Sequence, residues 1–137
     1  MTTIFLSFLS DLARGNIAIM ADYRMMLVDG YEPDATGHTR RSDITGEVSG
    51  DGYTAGGLPV ELAVVDDVGG ERVLIRIPQV DFAGVTLGAS GCVVYRDRGG
   101  AATEDELVCF GDFGETVAVE VGLLSVATSD MVIKEGA

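Results

Sequence analysis

The sequence predicts a mainly β chain, an antiparallel sandwich or partly closed barrel with one short N-terminal α-helix. Three observations carry that expectation. Apolar residues recur with period two along much of the chain, as in Val73, Ile75 and Ile77, or Val117, Val119 and Val121. The 19 glycines, about twice the usual frequency, fall between short apolar runs, where turns need a positive φ. Helical spacing is confined to the first fifteen residues. No linker, composition shift or internal repeat divides the chain, so residues 1–137 read as one domain of two packed layers.

The helix is expected over residues 1–15, with Phe5, Phe8, Leu9 and Leu12 on one stripe. Thr2 or Thr3 offers an N-cap, Gly15 a C-terminal stop, and Arg14 suits the negative end of the macrodipole. The stripe can dock on its own sheet or on a neighbouring subunit, and the former is favoured because a terminus needs docking to stay ordered. Ile17 to Met20 and Tyr23 to Val28 read as strands, with Tyr23, Met25 and Leu27 on one face. Met25 and Met26 suit core gap-filling. Residues 29–57 form a long irregular loop, a length that implies function or ordering by a partner. Within it Ser49 to Gly52 reads as a tight turn, and Tyr53 can anchor the loop by its ring.

Further strands follow. Val60 to Val65 and Arg72 to Ile77 form a hairpin, which Pro78 ends. Val80 to Leu87 is a weaker strand, broken by Gly84. Gly91 to Asp97 and Glu106 to Asp112 form a second hairpin that draws Cys92 and Cys109 together. Free buried thiols are the default in a reducing compartment. A disulfide would need a register that the sequence does not specify. Thr116 to Val121 and Leu123 to Thr128 add two strands, and Met131 to Lys134 adds an edge.

The charge narrows the function classes. With 9 basic and 22 acidic residues the net charge is −13, which opposes direct binding of nucleic acid and of anionic membranes. The basic residues are eight arginines and Lys134, and arginine suits carboxylate pairing at interfaces. No apolar run is long enough to span a bilayer, and Ile4 to Leu9 lacks the features of a secretory leader, so synthesis in a cytoplasm is expected. His38, the single histidine, reads as a solvated loop side chain and supports no triad. The acidic loops 43–51 and 97–105 lack EF-hand spacing, and Gly46 to Gly57 lacks the lysine of a phosphate loop. The expectation is a structural or assembly protein, not an enzyme, with no cofactor or metal.

Several runs together carry a resemblance: Tyr23-Arg24-Met25-Met26-Leu27-Val28, Gly30-Tyr31-Glu32-Pro33-Asp34, Ser42-Asp43-Ile44, Glu47-Val48-Ser49-Gly50-Asp51-Gly52-Tyr53-Thr54-Ala55-Gly56-Gly57, Val93-Val94-Tyr95-Arg96-Asp97 and Cys109-Phe110-Gly111-Asp112-Phe113-Gly114. In this order they resemble a family of small tailed-phage proteins encoded among virion structural genes. The run from Glu47 to Gly57 is the most specific, while Leu58 to Val85 departs in being more acidic and lacking an aromatic-rich strand near Phe82. The resemblance implies a virion protein, made in the host cytoplasm, and no catalytic residues. Its first implied role is capsid decoration, binding the major capsid protein or another virion protein and forming a homo-oligomer. A tail, fibre-base or head–tail joining component is the alternative, and a carbohydrate-binding module or enzyme the third reading. The candidate interface residues are Phe5 and Phe8 on the helix and Tyr31, Arg40, Arg41, Gly50 and Tyr53 in the loop.

Overall fold

The structure, a computed structural model, describes residues 2–128 and 130–134. Strand β1 (Thr2–Ile4) leads into helix α1 (Leu6–Arg14), and β2 (Tyr23–Val28) follows. An irregular segment brings the chain to β3 (Leu58–Val60), β4 (Ala63–Asp67) and β5 (Arg72–Arg76). The two longest strands, β6 (Val80–Arg96) and β7 (Leu107–Val126), come next, and β8 (Met131–Lys134) is last. They form two antiparallel sheets, ordered β1-β7-β6-β2-β3 and β4-β5-β8. The chain is therefore mainly β with a sandwich-like arrangement and no closed barrel among the described residues.

The β6–β7 hairpin is the spine, paired from Val80 opposite Val126 to Tyr95 opposite Leu107. Near its turn, β2 lines β6 and β1 lines β7. One face of the spine buries Phe82, Val85, Leu87, Leu124 and Val126 in the same cluster as Ile75, Ile77 and Met131 from the smaller sheet. Phe8 of α1 joins that cluster together with Tyr23, Met25 and Leu27. The opposite face near the turn holds a second cluster of Phe5, Met26, Val28, Tyr31, Val93, Tyr95, Leu107 and Phe110. Each large side chain fully buried here contributes about 1.5–3 kcal/mol before entropy is counted.

The helix is shorter than the sequence suggests. Phe5 is its N-cap, without a side-chain cap bond, and Thr2 and Thr3 lie in β1. These β-branched residues fit an extended strand, and the edge of β7 supplies ladder partners at Phe110 and Gly111. The apolar stripe divides accordingly. Phe8 is buried and Leu12 partly so, Phe5 turns to the other cluster, and Leu9 is 41% exposed. Gly15 closes the helix in the left-handed conformation, as expected.

Other differences arise from how the two layers connect. Ile17 to Met20 is no strand but a bend, in which Ala18 accepts a hydrogen bond from the Tyr23 hydroxyl. The Val60 to Val65 run divides, because β3 pairs with β2 while β4 crosses to the smaller sheet. The strands on either side of Gly84 fuse into β6, since this glycine (φ 65°) makes a bulge instead of a break. The two runs around Gly122 fuse likewise into β7. Between the pairs Leu87–Val119 and Val85–Gly122, β7 carries one extra residue. Val121 therefore leaves the face it was expected to share with Val117 and Val119. It is 83% exposed at φ 42°, with its N–H donated to Thr86 Oγ1 at 3.0 Å. The Tyr23, Met25 and Leu27 face, the pairing of the Gly91 and Glu106 runs and the edge strand β8 are as expected, while the first hairpin forms from β4 and β5.

Cys92 lies opposite Gly111, and Cys109 opposite Val94. The two thiols are diagonal neighbours, typically about 7–8 Å apart between Cα atoms, beyond the reach of a disulfide. Both are free and buried, and burial pushes Cys92 up to about 12 and Cys109 well above its ordinary value. Thiol-specific reagents are expected to label neither cysteine in the native protein and both after denaturation. Rapid native labelling counted by mass spectrometry would contradict the packing.

The 29–57 segment is irregular but tied throughout to its own chain. Bridges join Val28 to Glu47 and Arg40 to Glu106, and a 3-10 turn spans Arg41–Asp43. The Asp43 carboxylate accepts N–H bonds from Thr39 and Arg40. Further along, Val48 donates to the Leu27 carbonyl and Thr86 to that of Asp51. The segment's hydrogen-bond partners within the chain include β2, β6 and the residues Asp105 to Leu107 at the start of β7. Its backbone lies so close to β2 that a Cβ on Gly57 (φ 79°) would overlap the Met25 carbonyl. Gly57→Ala is expected to cost about 2 kcal/mol or more through steric overlap and backbone strain. Urea unfolding checks this, and an unchanged midpoint would rule the close approach out.

Candidate interaction surfaces

The residues from Glu47 to Gly57 close on themselves. Tyr53 lies beside Phe82, with ring centroids 6.0 Å apart. Its hydroxyl accepts the Leu27 N–H at 3.2 Å and donates to Glu47 Oε2 at 2.7 Å. The same carboxylate oxygen accepts the Gly56 N–H at 2.7 Å, and Tyr95 donates to the Gly56 carbonyl at 2.6 Å. Burial raises the Tyr53 hydroxyl well above its ordinary pKa, so it stays a neutral donor. At Gly50 a Cβ would overlap the Thr86 carbonyl. Tyr53 thus anchors the loop, as its position in the sequence suggested.

Tyr31 performs the same office at the other end of the segment. It is buried, packs edge-on to Phe110 at 5.3 Å, and bonds His38 Nδ1 at 2.6 Å. The Asp34 N–H also points at Nδ1, at 3.3 Å, so this nitrogen accepts and the Tyr31 hydroxyl donates. His38 is half-buried and tethered, not the solvated side chain expected.

A belt of ion pairs surrounds the β6–β7 turn. Arg41 Nε meets Asp105 Oδ2 at 2.8 Å, and its guanidinium lies over the Tyr95 ring at 5.1 Å. Asp105 is wholly buried and also accepts the Arg98 N–H. Arg98 grips Glu106 with two bonds, of 2.9 and 2.6 Å. Arg24 pairs with Asp97 at 2.9 Å. Arg40 is half-buried and donates to the Thr39 carbonyl. A cleft of about 440 Å³ opens between this belt and the glycine run, lined in part by Arg24, Arg41, Glu47, Gly56, Tyr95 and Asp97. Each of its guanidiniums already faces a carboxylate, so the cleft is polar but charge-balanced.

Of the residues singled out in the sequence, Phe5, Phe8, Tyr31, Gly50 and Tyr53 make internal contacts, while Arg40 and Arg41 reach the surface in part. The structure brings forward a different surface, the outer face of the smaller sheet. Val65, Leu74 and Val132 stand directly opposite one another across β4, β5 and β8, so they share one side. The neighbours Ile75 and Met131 take the other side and are buried. Leu74 and Val65 are half-buried, and Val132 is 47% exposed. Ion pairs flank this row on both sides, Arg72 with Asp67 at 2.6 Å and Arg76 with Asp130 at 3.1 Å. Sequence periodicity found Arg72 and Arg76 on one side of a strand, but only the register shows which aliphatic side chains lie between them.

No family model, curated protein or solved structure matches the chain. Among the described residues no group of three or more histidine, cysteine, aspartate or glutamate side chains could hold a metal, and no helix is long and apolar enough to cross a membrane.

The belt ties stability to pH. The bidentate Arg98 contact holds the Glu106 carboxyl below its ordinary value. The Gly99 N–H, then Arg24, do the same for Asp97. Backbone N–H bonds lower Asp34 and Asp43. A depressed folded pKa means that the unfolded chain binds protons first on acidification. The stabilisation is therefore present above the unfolded values, about 4 to 4.5, and is lost as pH falls through the folded ones. The urea midpoint is expected to be level from neutrality to about pH 5 and to fall below it. Glu106→Gln should lower the neutral plateau and make the acid decline shallower, and an unaltered profile would remove Glu106 from this account.

Proposed function

We propose that this chain is a structural protein of a tailed-phage virion, made in the host cytoplasm, that decorates the outer head shell. It is not an enzyme in this reading. Its partner is the major capsid protein or another virion protein, and it binds neither nucleic acid nor membrane directly. The resemblance centred on Glu47 to Gly57 supports the virion assignment. The observation that carries an assembly role is the partly exposed aliphatic row of the smaller sheet, flanked on both sides by arginine–aspartate pairs. An apolar centre with arginine at its margin is the usual composition of a protein contact. The net charge of −13 favours the outside of a shell over the side facing packaged DNA.

Quantitative gels of purified particles test the reading. Decoration requires copies on the order of hundreds, whereas a closed ring in a tail or neck requires roughly six or twelve. A ring number would replace head decoration by the tail or joining role. Absence from particles would overturn the virion reading altogether.

A further inference from the structure

We propose that the outer face of the smaller sheet is the seat of a second copy of this chain, bound face to face across a two-fold axis. The proposal stands independently of the virion reading. Its basis is the placement of four charges around Leu74. Arg72 and Arg76 lie two residues to either side of Leu74 on the central strand β5. Asp67 flanks Arg72 from β4, and Asp130 flanks Arg76 from the opposite neighbour, just before β8. The two carboxylates thus sit at diagonal corners of the face, and Val65 and Val132 are the two ends of its apolar middle row.

This pattern complements itself. With strands about 4.8 Å apart and residues about 3.4 Å apart along them, each carboxylate is displaced from its arginine by one strand. When a second copy is turned over and its β5 is crossed on the first at about 35°, that displacement is cancelled at both ends. Each Arg76 then lies over the other copy's Asp130, and each Arg72 over its Asp67. Leu74 meets Leu74 at the centre. The angle is close to the roughly 30° at which aligned sheets pack. A contact in which the same patch serves both copies is the ordinary form of a two-fold dimer.

The chemistry also separates this occupant from others. These four side chains carry balanced charge, and Lys134, the register partner of Arg72 on β8, adds a positive one. On a chain of net charge −13 two copies can therefore approach here without the carboxylate repulsion met elsewhere. A strongly basic partner would find no excess of carboxylates at this face. A partner that adds a strand would use the edges of β4 and β8, not the face between them. Three strands of this length offer a flat area of only roughly 250 Å² per copy, against about 800 Å² in a standard interface. The association is therefore weak and strongly concentration-dependent.

Sedimentation equilibrium over a wide concentration range tests the proposal. The wild-type chain should pass reversibly from monomer to dimer, less so at high salt. Arg76→Asp gathers four carboxylates at that end of the contact, and Asp130→Arg gathers four guanidiniums. Each variant alone should associate at least about tenfold more weakly, with unchanged circular dichroism. An equimolar mixture of the two restores opposite charges across the contact and should associate as the wild type does. Leu74→Glu should abolish dimers in every combination. A wild-type chain that stays monomeric up to its solubility limit would overturn the proposal. So would variants that dimerise normally, or a folded pair of variants that fails to associate when mixed.

Discussion

The antiparallel ladder between β6 and β7 is the constraint on which the other elements depend, because both layers take their positions from its register. From Gly91 to Val94 the ladder is regular, and there it accepts β1 on one side and β2 on the other. Its register shifts at Val94/Tyr95 and again at three places from Gly91 to Phe82, and two of these shifts have a local cause. Gly84 takes the left-handed conformation that a glycine allows, while Val121 is held in that region with its N–H bonded to Thr86. Bulges bend and twist a hairpin. The distal half of this one packs against a separate three-stranded sheet instead of gaining further strands of its own.

The run from Glu47 to Gly57 follows from the same ladder. An irregular segment laid along β2 and β6 must satisfy its polar groups without a ladder of its own. Here the Glu47 carboxylate, the Tyr53 and Tyr95 hydroxyls and scattered backbone bonds do so. Glycine recurs because any side chain at several of these positions would meet a strand carbonyl. A sequence motif built in this way records how a loop is held against a sheet. Its tyrosine and its Glu47 carboxylate are engaged inside the chain, while Gly50, Asp51 and Gly52 remain exposed.

Much of the layer structure was legible in the sequence, because period-two patterns report burial directly. The Tyr23, Met25 and Leu27 face and the alternation of Val73, Ile75 and Ile77 with two arginines both have the predicted sides. What periodicity lacks is information about pairing. It could not tell a break at Gly84 from a bulge, nor place Thr2 and Thr3 beside Phe110 and Gly111, because these depend on residues distant along the chain. The candidate surface was hidden for the same reason. Val65, Leu74 and Val132 belong to three strands, and Val132 is distant in sequence from the other two, so no local window contains the row. Apart from Arg40 and Arg41, the candidate residues that the sequence did offer were four aromatics and Gly50, whose internal and external uses look alike until burial is known.

The charge of the chain and the lack of excess carboxylates on one face have a joint consequence. A surface rich in carboxylates keeps free copies apart and soluble, so a small contact is too weak to hold them together in dilute solution. When copies are fixed close together on a larger scaffold, the same contact forms at an effective concentration set by their spacing, and its weakness ceases to matter. A sheet face with balanced arginine–aspartate pairs suits this division. It adds selectivity for one orientation, because a copy presented the wrong way sets arginine against arginine, and it leaves overall affinity to the scaffold. In such an arrangement the ladder of β6 and β7 acts at a distance from the contact, since the small sheet packs in one cluster with its buried residues.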